Sequence, residues 1–179
     1  MFQLDIKEIL EKIDFSINKF IENELRVLER NLNELNFNRN LANILNPLFE
    51  NYNIDTEYNG DIDKPNDRKA LQIAQSEMEQ IGIKPNQKNN YKINPDIIIH
   101  TRETNENNLV VLEIKKDSNQ RKRKEFDLVK LKHLTINYCG NHYNYKLGIA
   151  LIFGTRKNAG NYLIKYFQNG VELSRENLR

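Results

Sequence analysis

The sequence predicts an α/β protein: a mixed central β-sheet flanked by helices, preceded by an N-terminal helical extension. Three observations carry this. A long stripe of apolar residues recurs at spacings of three and four near the N-terminus, as one face of a helix requires. Dense apolar, largely β-branched runs stand at Ile97-Ile98-Ile99, Leu109-Val110-Val111-Leu112 and Leu147 to Phe153, as strands buried on both faces require. A basic helical segment separates the last two runs, so strands and helices alternate.

The first stripe comprises Ile6, Ile9, Leu10, Ile13, Ile17, Phe20 and Ile21, continued by Leu25, Leu28 and Leu32, and predicts a helix from Phe2 to about Asn33. It is expected to pack on the core or on a partner chain, since so long an apolar patch does not stay bare in a soluble protein. A second helix is expected from Glu34 to Glu50, with Leu41, Ala42, Leu45 and Leu48 inward and Pro47 shortening its last turn. The chain thus divides into an extension, residues 1–33, and a main domain, residues 34–179. Tyr52 to Tyr58 alternates and reads as a strand, closed by a turn at Asn59-Gly60. After a polar loop over 61–66, Asp67 is expected to cap a helix through Ile81, ended by Gly82, with loop again from Lys84 to Asn90. Ile93 to Thr101 and Asn108 to Lys115 read as two strands of a hairpin linked by the polar segment Arg102 to Asn107. A helix from Gln120 to Tyr138 and a strand from Lys146 to Phe153 follow. Tyr162 to Phe167, Asn169-Gly170 and Val171 to Leu173 read as a terminal hairpin.

Composition excludes several classes. With 179 residues, 39% hydrophobic and 29% charged, plus eight Phe and eight Tyr, the chain can build a core and is not expected to be disordered. No apolar run approaches the roughly 20 residues of a membrane span. The acidic, amphipathic N-terminus is unlike a secretory signal, so a cytoplasmic address without a membrane partner is expected. The single Cys139 excludes an internal disulfide, and His100, His133 and His142 are too scattered for a zinc motif. The 28 Asn residues are spread along the chain, and no function is read from them. Net charge is +2, too balanced to announce nucleic acid by itself, but residues 113–133 hold eight Lys or Arg against four Asp or Glu.

Chemistry concentrates in the expected central hairpin. Asn94-Pro95-Asp96 opens one strand and Glu113-Ile114-Lys115 ends the other, so Asp96 and Glu113 can converge although 17 positions apart. Alternation places Glu113 and Lys115 on one face. Pro95, which cannot donate to a sheet, suits a strand start. Two carboxylates at one spot call for a cation, and a hard divalent ion, Mg2+ or Mn2+, prefers oxygen donors such as these and the Ile114 carbonyl. A lysine beside them can serve an attacking water or neutralise charge on a phosphate. Each half of this pattern is short, and surface strand ends would explain either one alone. Their placement at two apolar strand ends before a basic helix gives them weight. Lys116 and the run Arg121-Lys122-Arg123-Lys124 read as phosphate contacts or as a solvated helix start. Lys130 and Lys132, with Asp127, read as intrahelical pairs, or Lys130 points at the active centre.

Pro95-Asp96 with Glu113-Ile114-Lys115, in this order of elements, resembles the bipartite signature of the PD-(D/E)xK phosphodiesterase superfamily, which includes many restriction endonucleases. The resemblance covers residues 34–153. It is closest to small bacterial members, through Glu34 with Leu41-Ala42, Ile54-Asp55-Thr56-Glu57-Tyr58-Asn59, the stretch Pro95 to Arg102, the stretch Asn108 to Lys116, and Asp127 to Lys132. Two departures stand out. The Gln-x-x-x-Tyr helix motif of some exonuclease branches is absent, which argues against processive exonuclease action. Arg39-Asn40 replaces a His-Arg pair common in the group. The resemblance implies a restriction-endonuclease-like core and a metal-dependent nuclease, acting on DNA in prokaryotic defence or DNA processing. It implies that Asp96 and Glu113 hold metal, that Lys115 serves the attacking water, and that Glu34, or else Glu57, completes the site. Lys130 joins the residues expected to meet nucleic acid. An inactive nuclease-fold module, a homodimer, or a subunit of a larger complex stay open as alternatives.

Overall fold

A computed structural model of the chain describes residues 4–31, 35–61 and 68–179. Helix α1 (Ile6–Glu29) starts where the Asp5 carboxylate accepts the Glu8 backbone N–H at 2.7 Å, an N-cap that fills one orphan donor. Helix α2 spans Leu35–Leu45 and tightens into a 3-10 turn over Asn46–Leu48, with Pro47 in its first turn, as the proline demands. The six-stranded main sheet has the order β1-β4-β5-β6-β7-β8. Its strands are β1 (Asn53–Thr56), β4 (Ile97–His100), β5 (Asn108–Lys116), β6 (Leu147–Phe153), β7 (Tyr162–Gln168) and β8 (Val171–Leu173). Only the central β5–β6 pair is parallel, bridged by helix α4 (Arg121–Leu134); every other pair is antiparallel. The β7–β8 hairpin turns at Asn169-Gly170, both at positive φ (52° and 79°), the pairing that a two-residue turn needs.

The two faces of β5 divide the core. Val110, Leu112 and Ile114 face α1 and α2, where Ile9, Ile13, Ile17, Phe20, Phe37 and Leu41 are almost wholly buried. The extension is therefore covered by the same core as the sheet. Val111 points to the opposite face, against Val129, Leu131 and Leu134 of α4. The architecture is mixed α/β with a mostly antiparallel sheet between helices. Among the described residues no helix is long and apolar enough to cross a membrane.

One segment departs from expectation. Asp67 lies outside the described residues, and Ala70–Gln72 form a strand, β2, paired antiparallel with β3 (Asn90–Lys92), which had read as loop and strand approach. The helix there, α3, is confined to Gln75–Gln80. Leu71 and Ile73 alternate into the core, and Asn141 clamps both backbone groups of Gln72 at 2.9 and 3.0 Å. These long-range bonds override a local pattern that suits a helix equally well. Helix α4 is also four residues shorter at its C-terminal end than the pattern through Tyr138, since Thr135 closes it.

Candidate active site

Asp96 stands one step before β4, and the register Ile97↔Leu112 places it across from Glu113. Its carboxylate finishes the ladder: Oδ2 accepts the Ile114 N–H at 2.7 Å and Oδ1 accepts from Asn38 Nδ2 of α2 at 3.1 Å. Lys115 extends its ammonium back over this corner. It donates to Asp96 Oδ2 at 3.2 Å and to the Ile114 carbonyl at 2.9 Å, and lies 3.2 Å from Asp127 Oδ2. Lys130, one turn along α4 from Asp127, places its Nζ 2.7 Å from Asp127 Oδ1 and 2.7 Å from Glu113 Oε1. Asp96, Lys115, Asp127, Lys130 and Glu113 thus form a chain of alternating charge between the sheet and α4.

Glu113, Asp127 and Lys130 are buried, so the charges act at low dielectric. Burial is the strongest influence on Glu113 and, with Asp127 and Asp96 adding to it against the pull of Lys130, holds its carboxyl well above the usual range. Burial opposes the charge on Lys130 and on Lys115. The carboxylates outweigh it in both cases, Glu113 and Asp127 around Lys130, Asp96 and Asp127 around Lys115, and both ammonium groups are held above their ordinary values. Although Lys130 is close to Glu113, the angles are too poor for a hydrogen bond, and both Glu113 oxygens are buried acceptors without a hydrogen-bond donor.

The structure brings Asp96, Glu113, Ile114 and Lys115 together. Glu34 lies outside the described residues. Glu57 is exposed, at a positive φ of 53°, and its N–H bonds the Asp96 carbonyl at 3.2 Å. Among the residues read as nucleic-acid contacts, Arg121, Lys122 and Arg123 are exposed, while Lys116 and Lys124 are half-buried. Arg121 pairs with Glu125 at 2.6 Å, and Lys122 and Lys124 donate to the carbonyls of Gly82 and Asp117. Lys130 turns inward, a correction to its reading as a nucleic-acid contact: an ammonium buried between two carboxylates does not meet a phosphate at the surface. Both open readings of Lys130 hold together, because it pairs with Asp127 within the helix and points at Glu113.

Sequence reasoning missed Asn38 as a partner of Asp96. The signal was present: Asn38 is polar yet shares a helix face with Leu41, Ala42 and Leu45. Asp127 sends a similar signal, on the buried side of α4 with Leu131 and Leu134.

Among the described residues no group of three or more His, Cys, Asp or Glu is arranged to hold a metal ion. The ammonium groups stand between the carboxylates. The donor chemistry nevertheless fits a hard cation: carboxylates of Asp96 and Glu113 with the Ile114 carbonyl are all oxygen. A positive group, Lys115 Nζ, already bonds two of those three acceptors, and Glu113 presents two orphan oxygens. The chain matches no family model, no curated protein and no solved structure.

Proposed function

We propose that the chain is a metal-dependent nuclease with a restriction-endonuclease-like core, hydrolysing phosphodiester bonds, DNA first among its substrates. The observation that carries this reading is the corner where Asp96 stands across from Glu113 while Lys115 reaches both Asp96 Oδ2 and the Ile114 carbonyl. Asp96, Glu113 and the Ile114 carbonyl would hold Mg2+ or Mn2+, which supplies Lewis-acid stabilisation of phosphate charge and a more acidic water. Lys115, kept protonated by its carboxylates, neutralises charge that builds on the phosphate during attack. Asn38 and the Ile114 N–H fix the Asp96 carboxylate. Lys130 offsets the buried charge of Glu113 and Asp127 and so preserves the site's shape. The exposed cations Arg121, Lys122 and Arg123, with Lys116 and Lys124, provide salt-dependent contacts to the backbone.

One observation favours a second reading, an inactive nuclease-fold module that binds nucleic acid or protein: both carboxylates expected to hold metal already face a lysine ammonium. Plasmid, linear DNA and RNA, incubated with Mg2+, Mn2+ or EDTA, separate the two. The nuclease reading expects metal-dependent cleavage that Lys115→Ala lowers by about 10²–10³ in single-turnover rate. Binding in Ca2+ should change little, since several other cations remain. Asp96→Ala should be at least as severe. Equal cleavage by wild type and Lys115→Ala removes the mechanism, and tight binding without cleavage in either metal favours the module.

A further inference from the structure

The face of the sheet that carries Lys115 continues beyond the charged corner. Parallel pairing sets Lys115 beside Ile152 of β6, and antiparallel pairing sets Ile152 beside Leu163 of β7. Paired residues on neighbouring strands share a face at about 4.8 Å per strand. Ile152 and Leu163 therefore form an apolar shelf one and two strands, roughly 5 and 10 Å, from Lys115. Helix α4 does not cover it: Ile152 is half-buried and Leu163 is 51% exposed. The shelf floors an open cleft of about 400 Å³, whose wall includes Lys124, Gly154, Asn161 and the exposed ring of Tyr162.

The rim is built and charged. Gly154 accepts no larger residue, because a Cβ there would meet the Asn158 carbonyl at 2.2 Å. The Asp117 carboxylate, the cleft's one acid, is committed to the loop: it accepts from Thr155 N–H and hydroxyl and from Asn158 Nδ2, at 2.6 to 3.1 Å. Arg156 and Lys157, on the same loop, are exposed. An apolar floor with an aromatic wall and cations around it matches one ligand chemistry, a flat nucleobase whose sugar-phosphate backbone lies along the cations.

We infer that the Ile152–Leu163–Tyr162 cleft is a nucleobase subsite that receives an unpaired base next to the phosphate at Lys115, so that single-stranded nucleic acid or a frayed duplex end is the substrate class. The inference rests on the reading of Lys115 as the phosphodiester end of the sheet. A base inside a duplex has both faces covered by its neighbours and cannot lie on the shelf, whereas an unpaired base gains stacking area there.

The test reads base stacking apart from cleavage. Single-stranded 12-mers of DNA and of RNA carrying 2-aminopurine are titrated with the full chain in Ca2+, alongside a closed DNA hairpin. Wild type should quench the fluorescence of a single strand, and quenching with either sugar supports the subsite. Tyr162→Ala and Leu163→Gln should each lose the quench and bind the single strand about tenfold more weakly, the scale of one stacked base. Both side chains are exposed, so folding is spared, and Phe15→Ala, an equally exposed apolar residue on α1, should behave as wild type. Unchanged quench and affinity in both cleft variants overturn the subsite, as does tighter binding of the hairpin than of single strands. Quenching without cleavage in any metal keeps the subsite and removes the nuclease reading. Cleavage with no quench by wild type does the reverse.

Discussion

At the scale of single residues, the buried charges are where most is at stake. Lys130 compensates two buried carboxylates at once, with its ammonium 2.7 Å from each. Removing one partner of a buried ion pair costs about 3–5 kcal/mol, because the other charge stays behind without water. Lys130→Ala should lower the unfolding free energy by about that amount. Urea denaturation checks it, and a loss below about 1 kcal/mol would mean that the network is solvated, as surface pairs are. Lys115 differs: it is partly accessible, and its loss should fall on chemistry more than on stability.

At the scale of elements, α1 is a test of what an N-terminal extension is. Its Asp5 cap and its three-and-four spacing make it a helix by local rules alone. Its stability comes from burial of one face against α2 and the sheet. Burying Ile9, Ile13, Ile17 and Phe20 contributes roughly 1.5–3 kcal/mol each. Together that rivals the whole stability of an ordinary domain, about 5–15 kcal/mol. A chain lacking residues 1–31 should therefore lose its cooperative melt and bind a hydrophobic dye such as ANS. A sharp thermal transition in that truncated chain would show that 34–179 is a domain in its own right.

At the scale of the whole molecule, ionic clusters occupy opposite ends of β4. The Asp96 end is the candidate site. At the His100 end, Arg102 clamps the Asp55 carboxylate, and the His100 ring lies 2.9 Å from it. Arg102 is the strongest influence on Asp55, with His100 adding to it against burial, and the carboxyl is held below its usual range. Burial keeps the His100 pKa low, so near neutral pH the ring is uncharged and donates to Asp55 through Nε2–H. The sign follows from linkage: a depressed carboxyl adds stability that is complete above its unfolded pKa, about 3.9, and is lost as pH falls through its lower folded value. Asp55→Asn should melt below wild type at pH 7, and the gap should close as pH falls from about 4 towards 2. Melting curves at several pH values check this, and a constant gap would assign the loss to shape and not to charge.

The sequence by itself determined what local periodicity and turn chemistry can determine. The stripe of α1, the buried runs of β4, β5 and β6, the Asn169-Gly170 hairpin and the facing of Glu113 with Lys115 all follow from spacing, because a side chain's face is set by the 3.6 and 2.0 repeats. The same repeats leave Leu71-Gln72-Ile73 ambiguous, and there a distant clamp, Asn141, chose strand. Only the tertiary structure decided that Asn38 steadies Asp96, that Asp127 and Lys130 close the charge chain, and that the Lys115 face runs on into the Leu163 shelf. Each joins residues from different elements: 58 positions separate Asn38 from Asp96, and β5 and β7 meet only through the intervening strand β6. A one-dimensional pattern records which face a residue takes. What it meets there depends on how the layers pack, and that packing is set by burial summed over the whole chain.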